Sequence, residues 1–216
     1  MPFTLRFVPN TDLINLGLFP LGLVLLPGEH VPLHIFEPRY RALIADCTLG
    51  ARPFVLSFAT DDGVTKIGCT AHPQALVRRF ADGRMNLIVE GGERVEIVEQ
   101  TTGELYITAR VRRIMDVDEP ADEALAGEAT ERFARLSAAV AGAAHEPDVP
   151  DGVPLSYAIA GSFELDPAPK QLLLESRSET ERLTLIRSLL DTALAALDRQ
   201  EVAAERAHSN GKVTLQ

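Results

Sequence analysis

The side chains that could perform chemistry are few and scattered. His30 and His34 have the spacing of a metal-binding pair, and on a helix they would share one face. Pro32 stands between them and the segment reads as extended, which separates their Cα atoms by ~13 Å. A single zinc ion draws its nitrogen donors to about 2 Å, so no metal site is expected. Ser162 follows Gly161 but lacks the Gly-x-Ser-x-Gly turn that poises a hydrolase nucleophile. Pairing it with Lys170 as a Ser-Lys dyad rests on nearness in sequence alone, and a small residue that lets helices approach is the better reading. Gly211-Lys212 is followed by Val213, with no glycine five positions before Gly211, so it is not a phosphate loop. Cys47 and Cys69 are too few for a disulfide framework and form no Cys-x-x-Cys pair; they read as buried thiols of a reducing compartment. No catalytic residue, cofactor or metal is expected.

Arginines offer a different chemistry. Arg78, Arg79 and Arg84, with Arg110, Arg112 and Arg113, fall on neighbouring predicted strands. Such a strip, carried by Arg78, Arg79, Arg110 and Arg112, would suit RNA, and RNA binding is kept as the alternative function. A stacking platform interleaves aromatic residues with the cations, and only Phe80 is close. A net charge of −10 also repels nucleic acid and anionic lipid. A solvated sheet face is the preferred interpretation. The acidic stretch from Asp116 to Glu131 likewise reads as a solvated linker and first helical turn.

The elements that would position these groups follow from hydrophobic period. With 216 residues, 46% hydrophobic and 24% charged, the chain can bury one substantial core or two small ones. Met1–Asn10 reads as a short leader. Leu13–Leu16 and Leu21–Leu26 read as strands, the second apolar throughout and bounded by Pro20 and Pro27-Gly28. His30–Phe36 is extended, confined to an edge by Pro32. Pro38 then opens an amphipathic helix of about ten residues, with Tyr40, Leu43, Ile44 and Cys47 on its apolar face.

Strand patterning resumes at Phe54–Ala59 and turns at Asp61-Asp62-Gly63. Ile67–Ala71 and Gln74–Phe80 read as one strand bent at His72-Pro73, and Asp82-Gly83 as a tight primed hairpin turn. Met85–Glu90, then Gly91-Gly92, then Val95 and Ile97, then Leu105–Met115 complete the series. Many strands joined by short turns argue for a closed or half-closed antiparallel barrel. At Asp116–Pro120 the composition shifts to helix formers. Helices are expected at Glu123–Ala143, at Tyr157–Phe163, from the Asp166-Pro167 cap through Leu174, and beyond a Ser178–Glu181 capping box. The fold class is therefore α+β, with a β-rich part at 1–118, a helical bundle at 119–200 and a frayed tail at 201–216. The apolar run before Pro27 lacks a basic flank and a cleavage site, is interrupted by Pro20, and is short of the ~18 residues of a membrane span. A cytoplasmic protein without a membrane partner is expected.

Leu16–Cys47 is the organising stretch. Its corners Phe19-Pro20-Leu21 and Leu26-Pro27-Gly28 place large apolar groups beside turns, which usually run over the surface, and exposed apolar patches mark interaction sites. Leu18-Phe19-Pro20-Leu21, Leu26-Pro27-Gly28 and the run from Val31 through Phe36-Glu37-Pro38-Arg39-Tyr40 to Leu43 resemble the N-terminal domain of the Lon family of ATP-dependent proteases. Ile67–Ala71, Asp82-Gly83-Arg84 leading to Val89-Glu90-Gly91 and Glu93-Arg94-Val95, and Lys170-Gln171 before Leu173-Leu174-Glu175 extend the resemblance from about residue 13 to 198.

The resemblance implies a PUA-like pseudo-barrel followed by a helical bundle. It also implies a role in recognising substrate polypeptide, without the Walker motif or the proteolytic Ser and Lys of the later Lon domains. A stand-alone, non-catalytic polypeptide-binding module is expected, serving as a substrate-recognition adaptor in protein quality control. Phe19, Leu21, Leu26 and Phe36 would supply apolar contacts, with Arg39 and Tyr40 as polar anchors. Unfolded or loosely structured polypeptide is the expected partner, with a protease, a chaperone or a second copy of the chain as further candidates.

Overall fold

β1 (Ile14–Leu21) is where the sheet closes on itself. The computed structural model describes residues 13–102 and 105–210, and seven strands and five helices form among them. β1 runs antiparallel to β7 (Ile107–Arg113) through Ile14 to Gly17, then parallel to β3 (Phe54–Thr60) through Leu18 to Leu21. From β7 the order continues through β6 (Met85–Thr102) and β5 (Ile67–Arg79) back to β3, antiparallel at each step. Five strands thus form a closed ring, which removes most of the open edges that invite aggregation. The expected antiparallel barrel is present with one correction: its seam is parallel, because β1 serves two neighbours in succession. Side chains alternate into the ring, so that Leu16, Leu18, Val55, Val95, Ala109 and Val111 form one buried cluster. β4 (Gly63–Val64) adds a short hairpin to β3.

β6 is the longest part of the wall, an unbroken strand of 18 residues. Its first half pairs β2 (His30–Ile35) on one side and β5 on the other; its second half pairs β7 and β5. Gly91-Gly92 is no break in it. A Cβ on Gly91 would stand 1.9 Å from the Leu26 carbonyl oxygen, so only glycine admits this approach. Gly28 N–H donates to the Gly91 carbonyl at 2.8 Å, and Gly91 N–H to the Glu29 carbonyl at 2.9 Å.

The segment held there is the stretch expected as a second strand. It is irregular instead, with Val24, Leu25 and Leu26 all 2% exposed or less. The uniform apolar run therefore reports burial, not extended pairing. The hairpin from β5 to β6 also differs from expectation. Phe80 N–H donates to the Arg84 carbonyl and Gly83 N–H to the Phe80 carbonyl. Gly83 alone has positive φ there, at 86°, which makes this a three-residue loop with one left-handed glycine.

α1 (Pro38–Gly50) buries Tyr40, Leu43, Ile44 and Cys47, as its period requires. Phe19 stacks on Tyr40 with ring centroids 3.9 Å apart and clamps the helix to β1.

Contacts divide the chain into two units, one of residues up to Asp116 together with Glu164–Arg177, the other of Val117–Phe163 with Ser178 onward. α4 (Pro167–Glu175) thus groups with the barrel and α1, and not with the helices of the second unit. Three polar anchors hold it. Lys170 pairs with Glu29, whose carboxylate also accepts the Leu26 N–H at 3.0 Å. Gln171 donates to the Ile67 carbonyl at 3.2 Å. Arg94, 5% exposed, donates to the carbonyls of Leu174 and Ser176 and pairs with Asp116. Asp166 makes no side-chain capping bond.

The second unit contains α2 (Glu123–Ala141), α3 (Leu155–Gly161) and α5 (Glu179–Asn210). Asp122 caps α2 by accepting the Leu125 N–H at 2.9 Å. At α5, Ser178 accepts the Glu181 N–H as expected, and Glu119 accepts from Ser178 and from the Thr180 N–H. Arg182 is fully buried against Glu179, Ser156 and the Tyr157 ring. α5 continues to Asn210; residues 211–216 with Gly211-Lys212, and the leader at 1–10, lie outside the described residues. No described helix is long and apolar enough to cross a membrane.

Two substitutions test this architecture. Gly91→Ala is expected to destabilise the barrel by at least about 1–3 kcal/mol, as overpacking does, seen as a lower urea midpoint. Lys170→Met leaves the Glu29 carboxylate buried without its partner and should cost about 3–5 kcal/mol, much of it recovered by adding Glu29→Gln. Urea midpoints of the single and double variants check this.

Candidate functional site

The two proline corners do not present their large side chains to solvent. Phe19, Leu26 and Tyr40 are 4%, 0% and 7% exposed, which corrects the expectation that they form a contact surface. Phe19 lies between Tyr40 and Phe54, and Leu26 is held against Gly91. Burial raises the Tyr40 hydroxyl pKa above its ordinary value. Leu21 is half-buried. Phe36 and Arg39 do face solvent, Phe36 at 59% and Arg39 paired with Glu37.

An apolar concavity lies elsewhere in the barrel unit. β3 pairs with β5 only as far as Ala71, so beyond that residue β5 has no strand on its outer side among the described residues. α1 covers the gap incompletely. A groove of about 380 Å³ remains between Ile44 and Leu49 of α1 and Leu76, Arg79, Met85 and Leu87 of the sheet, within the ~300–1,000 Å³ of small-molecule sites. Leu33, Leu87 and Leu76 lie in register across three strands, and the last projects into the groove's wall because no further strand covers it. Leu76 is 55% and Leu49 88% exposed. Sequence inspection missed both: Leu49 falls off the buried stripe of α1, and Leu76 is followed by another exposed apolar residue, Val77.

The candidates for other chemistry do not assemble. His30 and His34 are both exposed on β2, and His34 Nδ1 sits 2.6 Å from Asn86. No cluster of three or more metal-ligating side chains occurs among the described residues. Ser162 donates its hydroxyl proton to the Ala158 carbonyl at 2.8 Å, and Lys170 is held by Glu29. The arginine strip is not continuous. Arg78 lies opposite Asn86 and Arg112 opposite Glu96 on β6, ten residues or ~33 Å of strand apart. Arg110, Arg112 and Arg113 are paired with Glu99, Glu96 and Glu93.

A closed strand ring with an incompletely covered apolar groove defines a barrel-and-helix module with a cleft suited to apolar groups. The family model of the ATP-dependent protease La (LON) substrate-binding domain matches residues 15–192. The chain belongs to that family, as its motifs imply. Among solved structures it is similar to a Lon N-terminal domain protein from Xanthomonas campestris, at 24% identity and a TM-score of 0.61 over 81% of this chain and 98% of that one. It is also similar to the N-terminal domain of a Mycobacterium avium complex Lon protease, at 20% identity and a TM-score of 0.65 over 82% and 98% of the respective chains. These likenesses establish the shared fold.

Both thiols are buried and free. Burial pushes Cys47 up to about 11, with Arg52 partly opposing the shift, and pushes Cys69 higher still. Since the folded state disfavours the thiolate, these groups stabilise the fold below their ordinary pKa of 9.0 and lose that contribution as pH rises towards 11. A disulfide-exchange colorimetric titration at pH 8 is expected to find neither cysteine reactive in the native protein and both reactive in urea.

Proposed function

We propose that the protein is a non-catalytic module that binds unfolded or loosely structured polypeptide in the groove between α1 and β5, acting as a substrate-recognition adaptor for a cytoplasmic protease or chaperone. The observation that carries this reading is the groove itself, an apolar cleft flanked by the exposed Leu49 and Leu76. Membership in a substrate-binding family supports the choice of polypeptide as ligand. Partner side chains would enter against Ile44, Met85 and Leu87, stabilised by about 25 cal/mol for each Å² of apolar area removed from water. The chemistry at hand is burial and release, which needs no ionisable cluster.

Leu76→Asp tests the assignment with little risk to folding, because the residue is already half exposed. Removing one buried leucine contact is worth about 1.5–3 kcal/mol, or roughly ten- to a hundredfold in Kd. Titration of a fluorescently labelled unfolded protein should show that loss for Leu76→Asp and little change for Phe36→Ser, whose ring lies by His34. A large loss for Phe36→Ser with none for Leu76→Asp would move the site away from the groove.

A further inference from the structure

The end of the barrel where β5 turns into β6 carries a charge opposite to that of the whole chain, whose net charge is −10. Arg41 and Arg84 both donate to Asp82 at this turn and Arg79 lines the groove beside it, while Arg78 lies on the opposite face of the sheet, in register with the exposed His34. Arg84 Nε donates to the Asp82 carboxylate at 2.7 Å. Arg41 donates only to the Asp82 backbone carbonyl, at 2.8 Å, and keeps its charge unneutralised. Arg78 lies 4.6 Å from the centre of the Phe80 ring. Arg79 is the one charged side chain lining the apolar groove among the described residues, three residues along β5 from Leu76. Neither Arg78 nor Arg79 forms an ion pair among the described residues.

We propose that this tip reads carboxylates: the occupant of the groove is an extended polypeptide segment whose apolar residues enter between α1 and β5 and whose flanking Asp or Glu side chains meet Arg79 and Arg41. The proposal rests on the groove being the polypeptide site. A guanidinium presents a planar fork of donors that matches a carboxylate, and the two forks at the groove, Arg41 and Arg79, form no ion pair among the described residues. The range of the attraction selects the kind of anion. Screening limits it to about 10 Å in 0.1 M salt, so a short acidic flank senses mainly the tip, whereas a long polyanion also meets the negative remainder of the surface. The nearest aromatic ring is already engaged, with Arg78 and Arg84 at 4.6 and 5.3 Å from Phe80, and is poorly placed to stack a base. These observations favour an acidic-flanked polypeptide over nucleic acid.

The test uses fluorescent peptides with one shared apolar core and flanks of Asp, Gln or Lys, titrated by anisotropy against the wild type, the R41Q/R79Q double variant and Leu76→Asp. The Asp-flanked peptide should bind wild type about three- to tenfold more tightly than the Gln-flanked one, and the Lys-flanked peptide more weakly still. That order should collapse in R41Q/R79Q, and also in 1 M salt, where screening shortens to about 3 Å. Equal binding of all three peptides, lost in Leu76→Asp, keeps the groove and overturns the charge preference. An Asp preference undiminished in R41Q/R79Q overturns the assignment to this tip. An oligouridylate that binds as tightly as the Asp-flanked peptide at the same salt shows a general polyanion site and overturns it too. Failure of every peptide to bind removes the groove reading together with this one.

Discussion

The barrel unit depends on one close backbone approach, the Leu26 carbonyl lying where a side chain at position 91 would be. Glycine at that position lets an apolar loop lie against β6 without parting the strands. Exchanged backbone bonds between Gly91 and the Gly28-Glu29 pair then fix the loop's end. From there the consequence spreads by polar contact. Glu29, positioned by the loop, accepts the Leu26 N–H and pairs with Lys170. Arg94, three residues along β6 from Gly91, grips the carbonyls at the other end of α4. The middle of one strand therefore positions both a loop and a helix.

The same wall explains the groove. β5 outlasts the strand beside it, and past Ala71 its outer edge is open. An open edge usually invites another strand, but irregularities after Pro73 and after Leu76 break the register here, and Arg78-Arg79 charge its end. Such features blunt an edge. What remains attractive is the apolar floor between the sheet and α1, which suits side chains better than an added strand. In the proposed binding mode, an apolar floor beside a basic rim would separate two tasks, affinity from burial and selectivity from charge.

The sequence was legible where a period reports an environment directly. Tyr40, Leu43, Ile44 and Cys47 lie on the buried side of α1, and β3, β5 and β7 stand close to their expected positions. Other features were illegible for identifiable reasons. An unbroken apolar run reads alike whether it is a strand or a buried loop, hence the misassigned Leu21–Leu26. A proline corner says that the chain turns, not where its neighbours point, and Phe19 turned inward onto Tyr40. The parallel seam depends on partner choice, which alternation does not encode. The grouping of α4 with the barrel rests on contacts between residues as far apart in the chain as Glu29 and Lys170. The groove was hidden because Leu49 and Leu76 acquire meaning only once β3 is known to stop short.

The two-sided role of β1 also sets an order of assembly. Its first residues pair with Thr108 to Val111 and its last with Val55 to Phe58, so on the ribosome the ring stays open until β7 has emerged. α4 follows later, after α2 and α3 have been made, although it completes the barrel unit. Until β7 pairs with β1, the inward-facing Leu18 and Val55 lack their final cover, a state prone to aggregation. For part of its own synthesis the nascent chain is thus a loosely structured, apolar polypeptide, the kind of molecule that an already finished copy is proposed to hold.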